Sequence, residues 1–342
     1  MDIQYSRDRY IVILELSSTA IKILKLQPKI IDKKLNRHEI NRYKSFTIGA
    51  VIKKYIENNT LNIDLYKKHI LPIIIKELNS ITRLQPQAIR ILATGYYRSV
   101  TNTNSLLKVI ENSFPKYVKD KGIVLEILTP DEESYLSYLS WEKTYLFKEN
   151  VLNENNLKLN IDVGGGSTEI TLFNKPPFKN TISLEVGVDY YMNDILTIEY
   201  LDSTTIWYHL IEAKKNIKHH LNEKIIIPNE KIKFAICTGS TLILDREDEI
   251  NNQILTFNTA LGNTIFSTEK ELSERIEWKG RKQININNNE RKIFRKLFGL
   301  IILNEILKHF NVDYSYNNLA NLRIGAYHQT KEYLMQLHGY KI

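Results

Sequence analysis

The sequence predicts a mixed α/β protein of two domains, and three observations carry that prediction. First, a strand, an acid, a small-residue turn and a second strand occur twice, at Tyr10–Leu24 and at Asn160–Leu172. Second, apolar runs of strand length alternate with stretches of helical period along most of the chain, which gives mixed or parallel sheets covered on both faces. Third, 342 residues exceed what one hydrophobic core ordinarily serves, so each copy of the doublet can seed a domain of its own.

Taken in order, strands are expected near 10–16, 20–27, 89–94, 122–128, 157–163, 168–173, 180–185 and 231–237. Helices are expected near 64–79, 103–112, 132–142, 205–221, 289–310 and 323–336. In the first helix Leu65, His69, Ile70, Ile73 and Ile74 share one face. Pro130-Asp131 reads as a helix start, which puts Glu132 and Glu133 in a first turn where acids oppose the dipole favourably. The stretch 143–157 and the run Asn285–Asn289 are polar and read as loops, and 244–275 is weakly patterned. Residues 1–137 then form the first domain and 138–342 the second, with the last helix returning to the first.

Composition limits the function classes. The chain is 43% apolar and 25% charged, ordinary for a globular protein. Its formal net charge is +8, which favours encounter with polyanions, although most lysines on such a surface are simply solvated. No helix-turn-helix, zinc or RNA-binding signature is present, so nucleic acid is not the expected partner. The one cysteine, Cys237, lies in an apolar run and reads as a buried thiol. No apolar run approaches the roughly 18 residues of a membrane span, and no signal-like segment is present, so no membrane partner and a cytoplasmic location are expected.

The segment Asp162-Val-Gly164-Gly165-Gly166-Ser167-Thr168-Glu169 is the most specific signal for chemistry. Three glycines permit φ > 0 and let backbone N–H groups approach a ligand. Successive N–H groups in such a turn cradle an anion, and Ser167 and Thr168 add donors. Asp162, at the end of a strand beside them, is placed to hold a hydrated Mg²⁺. The alternative is a glycine hairpin that binds nothing.

These residues, with five further segments, resemble the exopolyphosphatase/guanosine pentaphosphate phosphohydrolase family of the actin-like superfamily. The matching segments are Ala93-Thr-Gly-Tyr-Tyr-Arg98-Ser-Val-Thr-Asn102, Leu128-Thr-Pro-Asp-Glu132-Glu133-Ser-Tyr135, Ser183-Leu-Glu-Val-Gly187, Thr238-Gly239-Ser240-Thr241 and Leu322-Arg323-Ile-Gly325. All fall in the family's order and approximate spacing. The resemblance implies two actin-like (ribonuclease H-like) domains with an interdomain cleft. It makes Glu133 the general base, Arg98 a phosphate clamp and Glu169 an orienting acid. Phosphate would be held by Ser17, Ser18 and Thr19 of the first loop, by Gly164, Gly165, Gly166, Ser167 and Thr168, and by Gly239 and Ser240. Mg²⁺ would be held by Asp162 and Glu15, and Arg323 would tie down the last helix.

Several departures stand beside the match. In the first loop Glu15 replaces the family's Asp, and Ser17, Thr19 and Ala20 replace its Gly, Asn and Ser. Tyr190 stands where the family carries an arginine, and Ser134-Tyr135 replace Ala-Arg. The implied activity is Mg²⁺-dependent release of terminal phosphate from inorganic polyphosphate or guanosine pentaphosphate, with a homodimer as the candidate assembly. The alternative from another class is a non-catalytic phosphate- or nucleotide-binding regulator, favoured by the altered first loop. A superfamily ATPase or kinase is a third reading, and the paired glutamates count against it.

Overall fold

The computed structural model describes residues 10–26, 46–49, 52–144, 156–176, 178–196, 203–239, 255–257, 265, 267–270, 288–312, 314–317 and 321–337. It divides into two units, Met1–Leu152 with Leu322–Ile342, and Asn153–Asn321.

In the first unit β1 (Ile11–Leu16) and β2 (Ala20–Leu26) form an antiparallel hairpin, and β3 (Phe46–Gly49) extends it at the edge. A 3-10 turn (Ile52–Tyr55) and the short hairpin β4 (Ile56–Glu57) and β5 (Thr60–Leu61) follow. Then come α1 (Ile63–His69), α2 (Leu71–Thr82) and β6 (Ala88–Ala93), which runs parallel to β1. The chain continues through α3 (Tyr96–Ser99), α4 (Thr103–Asn112) and α5 (Lys116–Asp120) to β7 (Leu125–Ile127), parallel to β6, and then α6 (Pro130–Thr144). The sheet order is β3-β2-β1-β6-β7.

The expected single helix at 64–79 is two. Pro72 has no N–H to donate to the preceding turn, so the ladder breaks at Ile70. The buried stripe is Tyr66, Ile70, Ile74, Leu78 and Ile81, while Leu65 is exposed. Central β1 is buried throughout, as a strand covered on both faces must be. Val12, Leu14 and Leu16 enter a core with Tyr66, Ile74, Ile91 and Leu106, which leaves Glu15 on the opposite face with Ile11 and Ile13.

The second unit repeats the plan. β8 (Lys158–Val163), β9 (Thr168–Phe173) and β10 (Ile182–Leu184) form an antiparallel meander. The helices α7 (Val188–Leu196) and α8 (Ser203–Lys224) lead to β11 (Ala235–Thr238), parallel to β8. Beyond lie β12 (Leu255–Phe257), α9 (Asn288–His309) and β13 (Tyr314–Asn317). The order is β10-β9-β8-β11-β13-β12, with β13 parallel to β11 and β12 antiparallel at the edge. Leu159, Ile161 and Val163 face a core with Phe294, Phe298 and Ile301 of α9, and Lys158, Asn160 and Asp162 alternate to the other face.

The last helix, α10 (Leu322–Leu337), belongs to the first unit and packs on α6 and β1. The approach is close enough that a Cβ on Gly325 would lie 1.9 Å from the Leu136 carbonyl oxygen. A boundary at 137/138 would have cut α6, which continues to Thr144. The strands β3, β4, β5, β12 and β13 and the helices α3, α5 and α7 add to the expected elements; most are too short to show a period. Of the expected core tryptophans, Trp141 is buried, Trp207 is 42% exposed, and Trp278 lies outside the described residues. So do most of the 143–157 loop and of 244–275, and residues 285–287 of the Asn285–Asn289 run; Asn288 and Asn289 begin α9. No helix among the described residues is long and apolar enough to cross a membrane.

Candidate functional site

In the first unit the β1–β2 turn is built by its own hydroxyls. Ser17 N–H and Oγ both donate to the Ala20 carbonyl, at 2.9 and 2.8 Å. Ser18 Oγ accepts the Tyr96 N–H at 3.2 Å, and its carbonyl accepts the Ile52 N–H at 3.1 Å. Gly95 has φ +55°, and a Cβ there would stand 2.3 Å from Ser18 Oγ. Ser18 is therefore buried beneath the start of α3, and Thr19 is half-buried at the tip. The Ser17 and Ser18 hydroxyls expected to meet phosphate are structural ties in the turn.

Arg98 projects from α3 toward the start of α6. Its Nη1 donates to the Leu128 carbonyl at 2.7 Å and to Glu133 Oε2 at 3.0 Å. Glu133 is 6% exposed, so its carboxylate is largely out of water with a guanidinium against it. Its neighbour has a different task. Glu132 Oε2 accepts the Thr129 N–H at 2.8 Å and the Thr129 hydroxyl at 2.9 Å, while Thr129 Oγ1 accepts the Glu132 N–H at 3.3 Å. That is a reciprocal capping box with Pro130 in the first helical turn. Thr129 as the cap was missed in the sequence, although Thr-Pro-Asp-Glu carries the signature.

In the second unit the glycine loop joins β8 to β9. Gly164 N–H donates to the Ser167 carbonyl at 2.9 Å, and a Cβ on Gly164 would lie 2.9 Å from the same oxygen. The carbonyls of Gly164 and Gly165 accept from Val188 and Asp189 N–H, at 3.1 and 2.8 Å, at the start of α7. Gly187 fits only without a side chain, since a Cβ would meet the Gly165 oxygen at 2.4 Å. Left-handed φ occurs at Gly95, Gly122 and Gly239 and not at the three loop glycines. Gly164 serves close backbone approach to Ser167, which corrects the expectation of φ > 0. With the carbonyls tied back, the N–H groups of Gly165 and Gly166 make no backbone hydrogen bond among the described residues. An anion cradle needs donors of this kind.

The loop's side chains are internal braces. Thr168 is fully buried and its hydroxyl donates to the Val186 carbonyl at 2.6 Å, so it is not available to phosphate. Ser167 and Ser183 hydroxyls both donate to Glu169 Oε1, at 2.9 and 3.0 Å, and Glu169 is buried. Glu169 therefore shapes the loop. Gly239, at φ +127°, presses on the Val163 carbonyl, where a Cβ would come within 2.3 Å. Ser240 lies outside the described residues.

The two expected metal ligands differ in kind. Asp162, the penultimate residue of β8, lies directly opposite Glu169 of β9 and is buried. One carboxylate with waters and substrate phosphates is an ordinary Mg²⁺ donor set, and Asp162 fits that role. Glu15 does not. Its Oε1 is 2.6 Å from Lys22 Nζ, its Oε2 is 3.3 Å from Arg323 Nε, and the residue is 1% exposed. Two cations already balance it, which corrects its assignment to metal. Among the described residues no group of three or more His, Cys, Asp or Glu is arranged to hold a metal.

Two residues absent from the expected site form an ion pair that reaches the glycine loop through one of them. Asp189, whose N–H holds Gly165, is itself buried, and its Oδ1 accepts from Arg295 Nη1 of α9. Tyr190 instead lines a cavity of about 170 Å³ with Tyr191, His209, Glu212, Asn216 and Phe298. Nothing in local pattern marks Asp189 and Arg295 as a pair, because they are 106 residues apart.

Comparison with known proteins bears on the family and the fold. The model of the Ppx/GppA phosphatase family matches residues 50–325. A bifunctional 3-dehydroquinate synthase/phosphatase of Fusobacterium nucleatum is 26% identical over 235 residues, 65% of this chain but 32% of that protein. The chain thus spans about a third of that relative's length. The crystal structure of the Aquifex aeolicus Ppx/GppA family member superimposes with a TM-score of 0.62 at 16% identity, covering 97% of this chain and 99% of that one. An exopolyphosphatase from Cytophaga hutchinsonii gives a TM-score of 0.62 at 14% identity, again over 97% and 99%. At these identities the structural likeness is one of fold; with a family model spanning most of the chain, the protein belongs to the Ppx/GppA phosphatase family.

Proposed function

We propose that the protein is a phosphohydrolase that releases terminal phosphate from inorganic polyphosphate or guanosine pentaphosphate with Mg²⁺. The observation that carries this reading is the glycine loop. The Gly164 and Gly165 carbonyls are tied into α7, while the Gly165 and Gly166 N–H groups make no backbone hydrogen bond among the described residues, an arrangement suited to phosphate oxygens. Glu133 is the general base for the attacking water. Glu132 is committed to capping, and Arg98 Nη1 lies 3.0 Å from Glu133 Oε2 and holds its carboxylate in place. Asp162 would hold Mg²⁺, which supplies positive charge to the phosphate oxygens when bound.

The regulator reading keeps one specific support. The hydroxyls of Ser17 and Ser18 and the carboxylate of Glu15 are all engaged within the first unit. One phosphate-release assay with polyphosphate, guanosine pentaphosphate and ATP, each with and without Mg²⁺, separates the readings. Release from either of the first two that needs Mg²⁺ and is lost in Asp162→Asn supports hydrolysis. Binding of polyphosphate without any release supports the regulator.

A further inference from the structure

Arg295 is not part of the glycine loop, yet it is paired with a residue that holds the loop. One residue does both jobs. The Asp189 backbone N–H holds the Gly165 carbonyl at 2.8 Å, and the Asp189 carboxylate holds Arg295 Nη1. The Asp189 side chain is 12% exposed and Arg295 36%. The carboxylate is thus a buried post, and the guanidinium reaches partly into solvent from it. Arg295 carries five N–H donors in a planar fork, and Asp189 is its one hydrogen-bond partner among the described residues. Phe298, one turn beyond Arg295 on α9, contacts Tyr191 ring to ring at 5.3 Å. That stacking fixes this part of α9 against α7. Tyr190, the next residue of α7, is turned toward the cavity with Tyr191 and Phe298 and offers a phenol, not a cation.

We infer that Arg295 is a phosphate-binding residue of the glycine loop, positioned by Asp189, and that it supplies from α9 the positive charge that α7 does not. This rests on the reading of the loop as a phosphate site. A guanidinium held by one carboxylate keeps donors for two phosphate oxygens, and a phosphate on Gly165 and Gly166 N–H would be neutralised by it. Asp189 Oδ2, buried with no hydrogen bond among the described residues, can take up a second guanidinium N–H as the fork rotates.

The experiment compares the parent with Arg295→Met, Arg295→Lys and the double variant Asp189→Val/Arg295→Met. Binding of inorganic polyphosphate and steady-state phosphate release are measured at several salt concentrations. A purely structural ion pair replaced on both sides by apolar groups is often neutral, so for such a pair the double variant regains parental Kd and KM. A phosphate contact cannot be regained that way. The expected result is a Kd and KM about 10- to 100-fold higher in Arg295→Met and equally so in the double variant, the range for a lost hydrogen bond to a charged group. Arg295→Lys should fall between, and the salt dependence of binding should weaken in all but the lysine variant. Should Arg295→Met fail to fold, the double variant decides alone. Parental Kd and KM in the double variant overturn the assignment while leaving the hydrolase reading standing. A parent that neither binds polyphosphate nor releases phosphate overturns both.

Discussion

Arg323 and Glu15 form a buried ion pair, Nε to Oε2 at 3.3 Å, that ties α10 to the central strand β1. Lys22, the cross-strand partner of Glu15 in the β1–β2 hairpin, takes the other carboxylate oxygen at 2.6 Å. Burial pushes the Arg323 guanidinium down from its ordinary range, and Glu15 offsets only part of that shift. The carboxylate that resemblance assigns to metal is therefore a structural anchor.

Removing one partner should be costly. Arg323→Met leaves the buried Glu15 carboxylate with Lys22 alone, and a loss of up to about 3–5 kcal/mol in urea unfolding is expected. Glu15→Leu together with Arg323→Met should recover much of that loss. The Mg²⁺ titration of folded Glu15→Gln should match the parent's; a shifted midpoint would return Glu15 to the metal site.

The adjacent glutamates should separate cleanly. Glu132→Ala opens the capping box, and about 1 kcal/mol of stability should go while turnover stays near parental. Glu133→Gln keeps the fold and should lower phosphate release by roughly 10²–10⁴-fold, the usual worth of a general base. Polyphosphate affinity should change only a few-fold in that variant. Reversed effects on turnover would exchange the two assignments.

Gly187→Ala tests how the loop is held. Its new Cβ would lie 2.4 Å from the Gly165 oxygen, so either the loop or the start of α7 must shift. Phosphate release and polyphosphate binding should both fall by at least about tenfold, because Gly165 and Gly166 move together. Unchanged binding in a folded Gly187→Ala protein would show that the loop N–H groups are not the phosphate donors.

His328, buried on α10, has its pKa lowered to about 4 by burial, with Lys143 and Lys331 adding to the shift. The unfolded chain binds the proton near pH 6.5 and the folded protein does not until about 4. Stability should therefore be unaffected by this group above pH 6.5 and fall as pH drops from 6.5 toward 4, by on the order of 3 kcal/mol. His328→Asn should flatten the stability profile in that window. An identical slope in parent and variant would remove His328 as its source.

Much of this was legible in the sequence because it is written locally. The glycine triplet, the Ser183–Gly187 segment and the Glu132-Glu133 pair each sit where a strand ends or a helix begins, and the long helices show their period. What was not legible depends on side chains meeting across the fold. Nothing near Glu15 announces that Arg323 will reach it, and nothing near Asp189 announces Arg295. The hydroxyls of Ser17 and Thr168 read equally well as ligand donors or as turn ties; only the positions of the Ala20 and Val186 carbonyls decide. The break at Ile70 was announced by Pro72 and overridden by a continuous apolar period.

Ser18 and Gly95 are fitted to each other like a stud and its socket. The hydroxyl occupies the space a side chain at 95 would need, and it receives the N–H of the next residue, Tyr96. Two residues further on, Arg98 steadies Glu133. Any substitution in the β1–β2 turn is thereby relayed along a short stiff linkage to the proposed base, with no ligand involved. Position 18 answers to position 95, and among descendants of this chain the two should change together or not at all.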